Sequence, residues 1–281
     1  MSLPSSESSP SSPSSPSLPF LVGFDGSVRS LAAARWAARE ARSAGAVLRL
    51  LHVGQAWPTI QPISPEFQPV LGASAVAAEA VLAASADELR AVHPGLTVET
   101  ATAEGGPAGE LTRAAAHARL LVVGAGGHNR HVPLLGSTAL HVAGRCEIPV
   151  VLVREQAAEG AHRGRGVVVG VDPAGDYEAV LGFGYAWAAA HGLPLRAVHA
   201  GPEPSELLEA AVAKVSARYP GVATECVSRV GDPAHVLVDE SEAADLLVIG
   251  RRHHRPLHGL GPTDHAVAHY ARGPVALVPH G

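Results

Sequence analysis

Residues 120–153 read LLVVGAGGHNRHVPLLGSTALHVAGRCEIPVVLV. LLVV is a short apolar run stopped by Gly124, the pattern of a strand buried on both faces. Gly124, Gly126 and Gly127 allow a tight turn and a close approach of a ligand to the backbone. A basic loop follows, with Arg130 and His131 as cations. Gly136-Ser137-Thr138 then opens a helix. The N–H groups of a first helical turn attract anions, and the Ser137 hydroxyl adds a donor. PVVLV, residues 149–153, is a closing strand. The bland alternative is that any strand-turn-helix needs a glycine and a Ser/Thr cap.

A weaker copy runs from 246 to 278: LLVIGRRHHRPLHGLGPTDHAVAHYARGPVALV. Arg252-His253-His254 occupy the region of Gly127. Pro262 stands where Ser137 stands and has neither a hydroxyl nor an N–H. Losing two donors to a charged phosphate costs about 3 kcal/mol or more, roughly a hundredfold in affinity. Thr263 recovers part of this. The sequence thus predicts strong anion binding in the first copy and weak or no binding in the second.

Outward from these copies, strands and helices alternate. FLVGF, residues 20–24, is an apolar strand ending in Asp25-Gly26-Ser27. Asp25 either fixes that turn or, at a strand end, meets a ligand. Ser27 or Ser30 caps a helix stopped by Gly45. Leu31, Ala34 and Ala38 share one of its faces, and Arg35, Arg39 and Arg42 another. A strand over 47–53, a Pro-containing loop over 54–71, a helix over 73–92, a strand over 96–103 and a helix from Gly106-Pro107 to Ala118 complete the unit. Apolar strands separated by helices give a parallel sheet covered on both sides, a doubly wound α/β fold.

The unit occurs twice. VVVGVD, ending at Asp172, echoes FLVGFD, ending at Asp25. RAVHA, ending at Ala200, echoes LLHV, ending at Val53, and Gly231-Asp232-Pro233-Ala234 echoes Gly105-Gly106-Pro107-Ala108. The expected layout is a Ser/Pro tail over 1–18, a first domain over 19–154, a linker over 155–165 and a second domain over 166–281. The first domain carries an extra loop over 55–70, placed to lie over a ligand beside Val53.

Composition narrows the classes. The 281 residues are 47% hydrophobic and 17% charged, enough for two cores. No apolar run approaches the roughly 20 residues of a membrane span. A net charge of -5 and 4% aromatic residues argue against a nucleic-acid partner. Two cysteines, Cys146 and Cys226, make no disulfide framework, and no secretory signal is seen, so a cytoplasmic setting is expected. His253, His254 and His258 cluster, as do His128 and His131, but without metal-ligand spacing; no metal is expected. His52 and His199 read as structural, and Trp36 and Trp187 as core. No P-loop, nucleophile elbow or C-x-x-C is present, so no catalytic residue is assigned.

Hydrophobic-Gly-hydrophobic-Asp on the first strand, LLHV and RAVHA on the second, Gly-Asp-Pro-Ala at 231–234 and the glycine loop ending in Gly-Ser, in this order and twice, resemble the universal stress protein family in its tandem form. The loop departs by one residue, with eight rather than nine between Gly127 and Gly136. Reading Gly126 as the second glycine restores nine. The resemblance implies two tandem domains, each a five-stranded sheet of the adenine nucleotide alpha hydrolase-like type. It implies ATP as ligand, with ADP or AMP as alternatives and Mg2+ accompanying the triphosphate. Asp25 and Gly26 would meet the ribose or adenine side, and Val53 the adenine through its backbone. Gly124, Gly126, Gly127, Arg130, Gly136, Ser137 and Thr138 would line the phosphates. A weak second site would use Asp172, Ala200, Gly250, Gly261 and Thr263. The closing strands of such domains pair, here within one chain, and a homodimer of chains is a further option. The implied role is regulatory; a ligand-free scaffold and a slow ATPase are the alternatives.

Overall fold

The computed structural model describes residues 18–54, 68–126, 135–155, 165–201, 205–242, 244–252 and 259–281. The first half contains β1 (Phe20–Gly23), α1 (Val28–Ser43), β2 (Leu48–Gly54), α2 (Gln68–Val92), β3 (Val98–Glu104), α3 (Pro107–Ala115), β4 (Leu120–Gly124), α4 (Ser137–Arg145) and β5 (Val150–Val153). The second half repeats the order with β6 (Val167–Gly170), α5 (Glu178–His191), β7 (Leu195–Ala200), α6 (Ser205–Ser216), β8 (Thr224–Arg229), α7 (Pro233–Ser241), β9 (Leu246–Arg252), α8 (Pro262–Tyr270) and β10 (Val275–His280).

The strands form one sheet in the order β3-β2-β1-β4-β5-β10-β9-β6-β7-β8. Each half is parallel, and the halves join by antiparallel pairing of β5 with β10, with Val151 opposite Ala276. A pseudo-two-fold axis runs through that pair. The five-stranded sheets of the sequence reading are therefore the two wings of a ten-stranded one.

Helices cover both faces. Strand side chains alternate between them: Phe20 and Val22 pack toward α1 and α2, while Leu21 packs toward α3 and α4. Each buried Leu or Val contributes about 1.5–3 kcal/mol. The sequence put Leu31, Ala34 and Ala38 on one face of α1, but Ala32, Ala33, Ala37 and Ala41 are buried as well as Ala34 and Ala38. α1 lies between its own sheet and α5, so the narrow stripe read from periodicity widens. β3 starts at Val98 rather than 96 because the chain first turns at Pro94-Gly95, where Leu96 N donates to His93 O at 3.1 Å and Gly95 has φ +87. α2 begins at Gln68, five residues earlier than the sequence suggested.

Across the axis Trp36 stacks on Trp187, with ring centroids 5.5 Å apart and planes 5° apart. Beside them Glu40 Oε2 lies 2.7 Å from His191 Nε2, and His191 Nδ1 lies 2.8 Å from the Trp187 carbonyl. On the opposite side of the sheet the halves cap each other's helices. Arg251, 2% exposed, donates to Gly144 O at 3.1 Å and also to Cys146 O at the end of α4. Arg154 donates to Ala268 O at 2.8 Å and His269 O at 2.5 Å at the end of α8. Cations favour such carbonyl-rich helix ends. Among the described residues no helix is long and apolar enough to cross a membrane.

Candidate nucleotide site

In an open parallel sheet, ligands settle where neighbouring strands lead off in opposite directions. Here that fork lies between β1 and β4 in the first half, and between β6 and β9 in the second.

In the first half, Asp25 leaves the end of β1. Its Oδ1 accepts from Ser27 N at 2.9 Å. Partial burial raises its pKa, but hydrogen bonds from Ser27 and Ser30 outweigh that and hold the carboxyl below the usual carboxylate range. Ser27 is the N-cap of α1, accepting from Ser30 N at 3.2 Å. The turn role and an outward carboxylate thus coexist at Asp25, which is exposed, as is Gly26. Val53 sits half-buried near the end of β2, opposite Ala103.

Gly124 ends β4. A Cβ there would stand 2.7 Å from the Arg29 carbonyl, so no side chain fits. Gly126 has φ +144, and a Cβ on it would lie 2.9 Å from Arg29 Nε. The Arg29 side chain therefore runs along the base of the glycine loop. Sequence reading missed it: it belongs to no motif, and only the packing of α1 against β4 brings it there. Gly136 is the N-cap of α4, with Ser137 exposed and Thr138 half-buried in the first turn. Just before it, Leu135 N donates to Nδ1 of His269 in the second half at 3.1 Å. The return of the loop is thus held by the other half. Gly127 and Arg130, with His128 and His131, lie outside the described residues, as does most of the 55–70 loop.

In the second half, Asp172, Ala200, Gly250, Gly261 and Thr263 all line one cavity of about 580 Å³. Three further residues there were missed: Asp176, Asp264 and His280. Asp264 Oδ2 accepts from Gly261 N at 3.1 Å, the N3-to-N-cap half of a capping box at the start of α8, where Gly261 has no side chain to return the bond. Gly261-Pro262-Thr263-Asp264 could have been read as that cap from its three-residue spacing. Arg252 lies 3.6 Å from Asp172 Oδ2.

His52 Nδ1 donates to Phe24 O and His199 Nδ1 to Val171 O, each at 2.9 Å, tying β2 to β1 and β7 to β6, and His199 also lines the second-half cavity. Both histidines make the structural bond expected of them. Burial pushes the thiols of Cys146 and Cys226 up, which makes them poor nucleophiles. His253, His254 and His258 lie outside the described residues.

The chain matches the Universal stress protein family over residues 18–154 and 201–279. It belongs to that family. A universal stress protein of Mycolicibacterium smegmatis is 32% identical over 287 aligned positions, covering 92% of this chain and 96% of the relative. One from Mycobacterium tuberculosis strain H37Rv is 30% identical over 266, covering 92% and 95%. Among solved structures, a universal stress protein from Archaeoglobus fulgidus superposes with a TM-score of 0.78 at 19% identity, over 94% of this chain and 99% of that one. The structural likeness speaks for the shared fold. A universal stress protein with both repeats in one chain has two homologous forks, and in this one they differ in chemistry.

Proposed function

We propose that this universal stress protein is a regulatory adenine-nucleotide binder, which holds ATP or ADP mainly at the first fork. The supporting observation is the cradle there: two glycines whose Cβ atoms would strike Arg29, facing a Gly136-capped helix start. The backbone N–H groups of Ser137 and Thr138 supply anion donors, and Arg29 supplies a cation. Asp25 is placed for ribose hydroxyls, as a carboxylate accepts hydrogen bonds and donates none. Val53 borders the adenine side. Mg2+ would travel with the triphosphate and keep most of its water ligands.

The second fork lacks this chemistry. Pro262 brings no N–H, and the Gly261 N–H already meets Asp264. With the loop return hooked to His269, occupancy of the first fork can be felt by the second half. That contact is the route we assign to regulation.

Calorimetry of the full chain with ATP tests this reading. One tight equivalent is expected, and Asp25→Ala and Ser137→Ala should each weaken it by about tenfold, the worth of one charge-assisted hydrogen bond. Two equivalent sites would sink the asymmetry. Wild-type affinity in both variants would remove the site.

A further inference from the structure

The second-half cavity falls within the size range of small-molecule sites. Val171, Val180, Val198, Leu237 and Ile249 give it apolar walls. Its charged lining is mainly acidic, three aspartates against Arg252, with His199 and His280 beside them. Asp172 follows β6, Asp176 accepts from Gly281 N at 3.2 Å, and Asp264 caps α8. Asp176 stands where the repeat offset places Arg29 in the first half, an acid in place of a base. Of the cations, Arg252 faces Asp172. Burial pushes the His280 imidazole below its ordinary value, so it is neutral at pH 7. Its Nδ1 is buried without a hydrogen-bond partner among the described residues.

A phosphate entering this cavity would meet like charge at the one place where its counterpart meets helix N–H groups. The Asp264 carboxylate already stands there as an internal anion. A ligand with a flat ring suits the walls, and hydroxyl or amino donors suit the carboxylates. An unpaired neutral imidazole suits an uncharged polar group.

We propose that this cavity binds an unphosphorylated, nucleoside-type small molecule, and that Asp264 is the residue that excludes phosphate, so the two halves take different ligands. The proposal rests on the reading of the first fork as a nucleotide cradle.

Adenosine and AMP, titrated separately into the full chain saturated with ATP, test it. Adenosine should fill one further site, at least tenfold tighter than AMP, since opposed like charges cost several kcal/mol. Ala200→Trp, which fills the cavity, should abolish that site and leave the ATP equivalent intact. Asp264→Asn keeps an oxygen for the Gly261 N–H but removes the charge. It should raise AMP affinity about tenfold and leave adenosine within about twofold. The proposal is overturned if AMP matches adenosine in the wild type, if Ala200→Trp leaves adenosine binding unchanged, or if Asp264→Asn gains nothing. Failure of ATP to bind the wild type counts against the first-fork reading instead, because the Ala200→Trp-sensitive adenosine signal is read independently of it.

Discussion

Arg29 and Gly124 make the sharpest pair of tests at the scale of single residues. Arg29→Ala removes a cation from the glycine loop while sparing the adenine side. It should weaken ATP by tenfold or more, charge-assisted contacts being worth about 1.5–3 kcal/mol, and leave adenosine binding in the second-half cavity, which Arg29 does not line, unchanged. Parallel titrations with the two ligands read the difference. Gly124→Ala should act through structure. The new methyl would stand 2.7 Å from the Arg29 carbonyl, a backbone atom that cannot swing aside. Overpacking of this kind costs about 1–3 kcal/mol, so a lowered melting temperature and lost ATP binding are expected together. Gly124 was legible in the sequence because a glycine after an apolar run has few other uses. Arg29 was not, because its role depends on which strand α1 leans against. The pairing of Leu135 with His269 was equally hidden: 134 positions separate the two, and neither belongs to a motif.

At the scale of elements, α1 and α5 meet through a titrating pair. His191 and Glu40 side chains are 6% and 1% exposed. The carbonyl of Trp187 only accepts, so Nδ1 carries a proton and Nε2 faces the carboxylate. Burial alone would push the His191 pKa down, but the hydrogen bonds to Glu40 and Trp187 more than offset this and raise it above 6.5. The sign follows directly. A raised folded pKa adds stability that is complete below the unfolded value of about 6.5 and is lost as pH rises through the folded one. Thermal melts of the full chain should therefore lose part of their stability above pH 6.5, and Glu40→Gln should flatten that dependence. A wild type whose pH profile matches that of Glu40→Gln would contradict it. Strand and helix order was readable because each buried strand is an uninterrupted apolar run. The full width of burial on α1 was not, since its second neighbour comes from the other repeat.

The whole molecule is held at its middle by β5 against β10, the stacked tryptophans and the crossed arginine caps. Stacked aromatic pairs add about 0.5–1.5 kcal/mol beyond their burial. A fragment spanning residues 166–281 would expose the apolar edge of β10 and the face of Trp187. Open apolar edges invite pairing, and the pseudo-two-fold supplies a template for a symmetric pair. Sedimentation of that fragment should show a dimer where one half has replaced the other. A well-behaved monomer would mean that the seam contributes little. The duplication itself was plain from the repeated strand signatures; their fusion into one continuous sheet needed the observed register.

The seam also sets a clock for synthesis. About 120 residues separate β5 from β10, its neighbour on that side of the sheet. At ribosomal speeds of roughly 5–20 residues per second, the first half waits on the order of ten seconds with one flank bare. Nascent chains on a crowded polysome present that flank to one another, and β5 of one chain can find β5 of the next. The order in which the halves emerge thus makes slow translation of the second half a hazard that changes no residue in the finished protein.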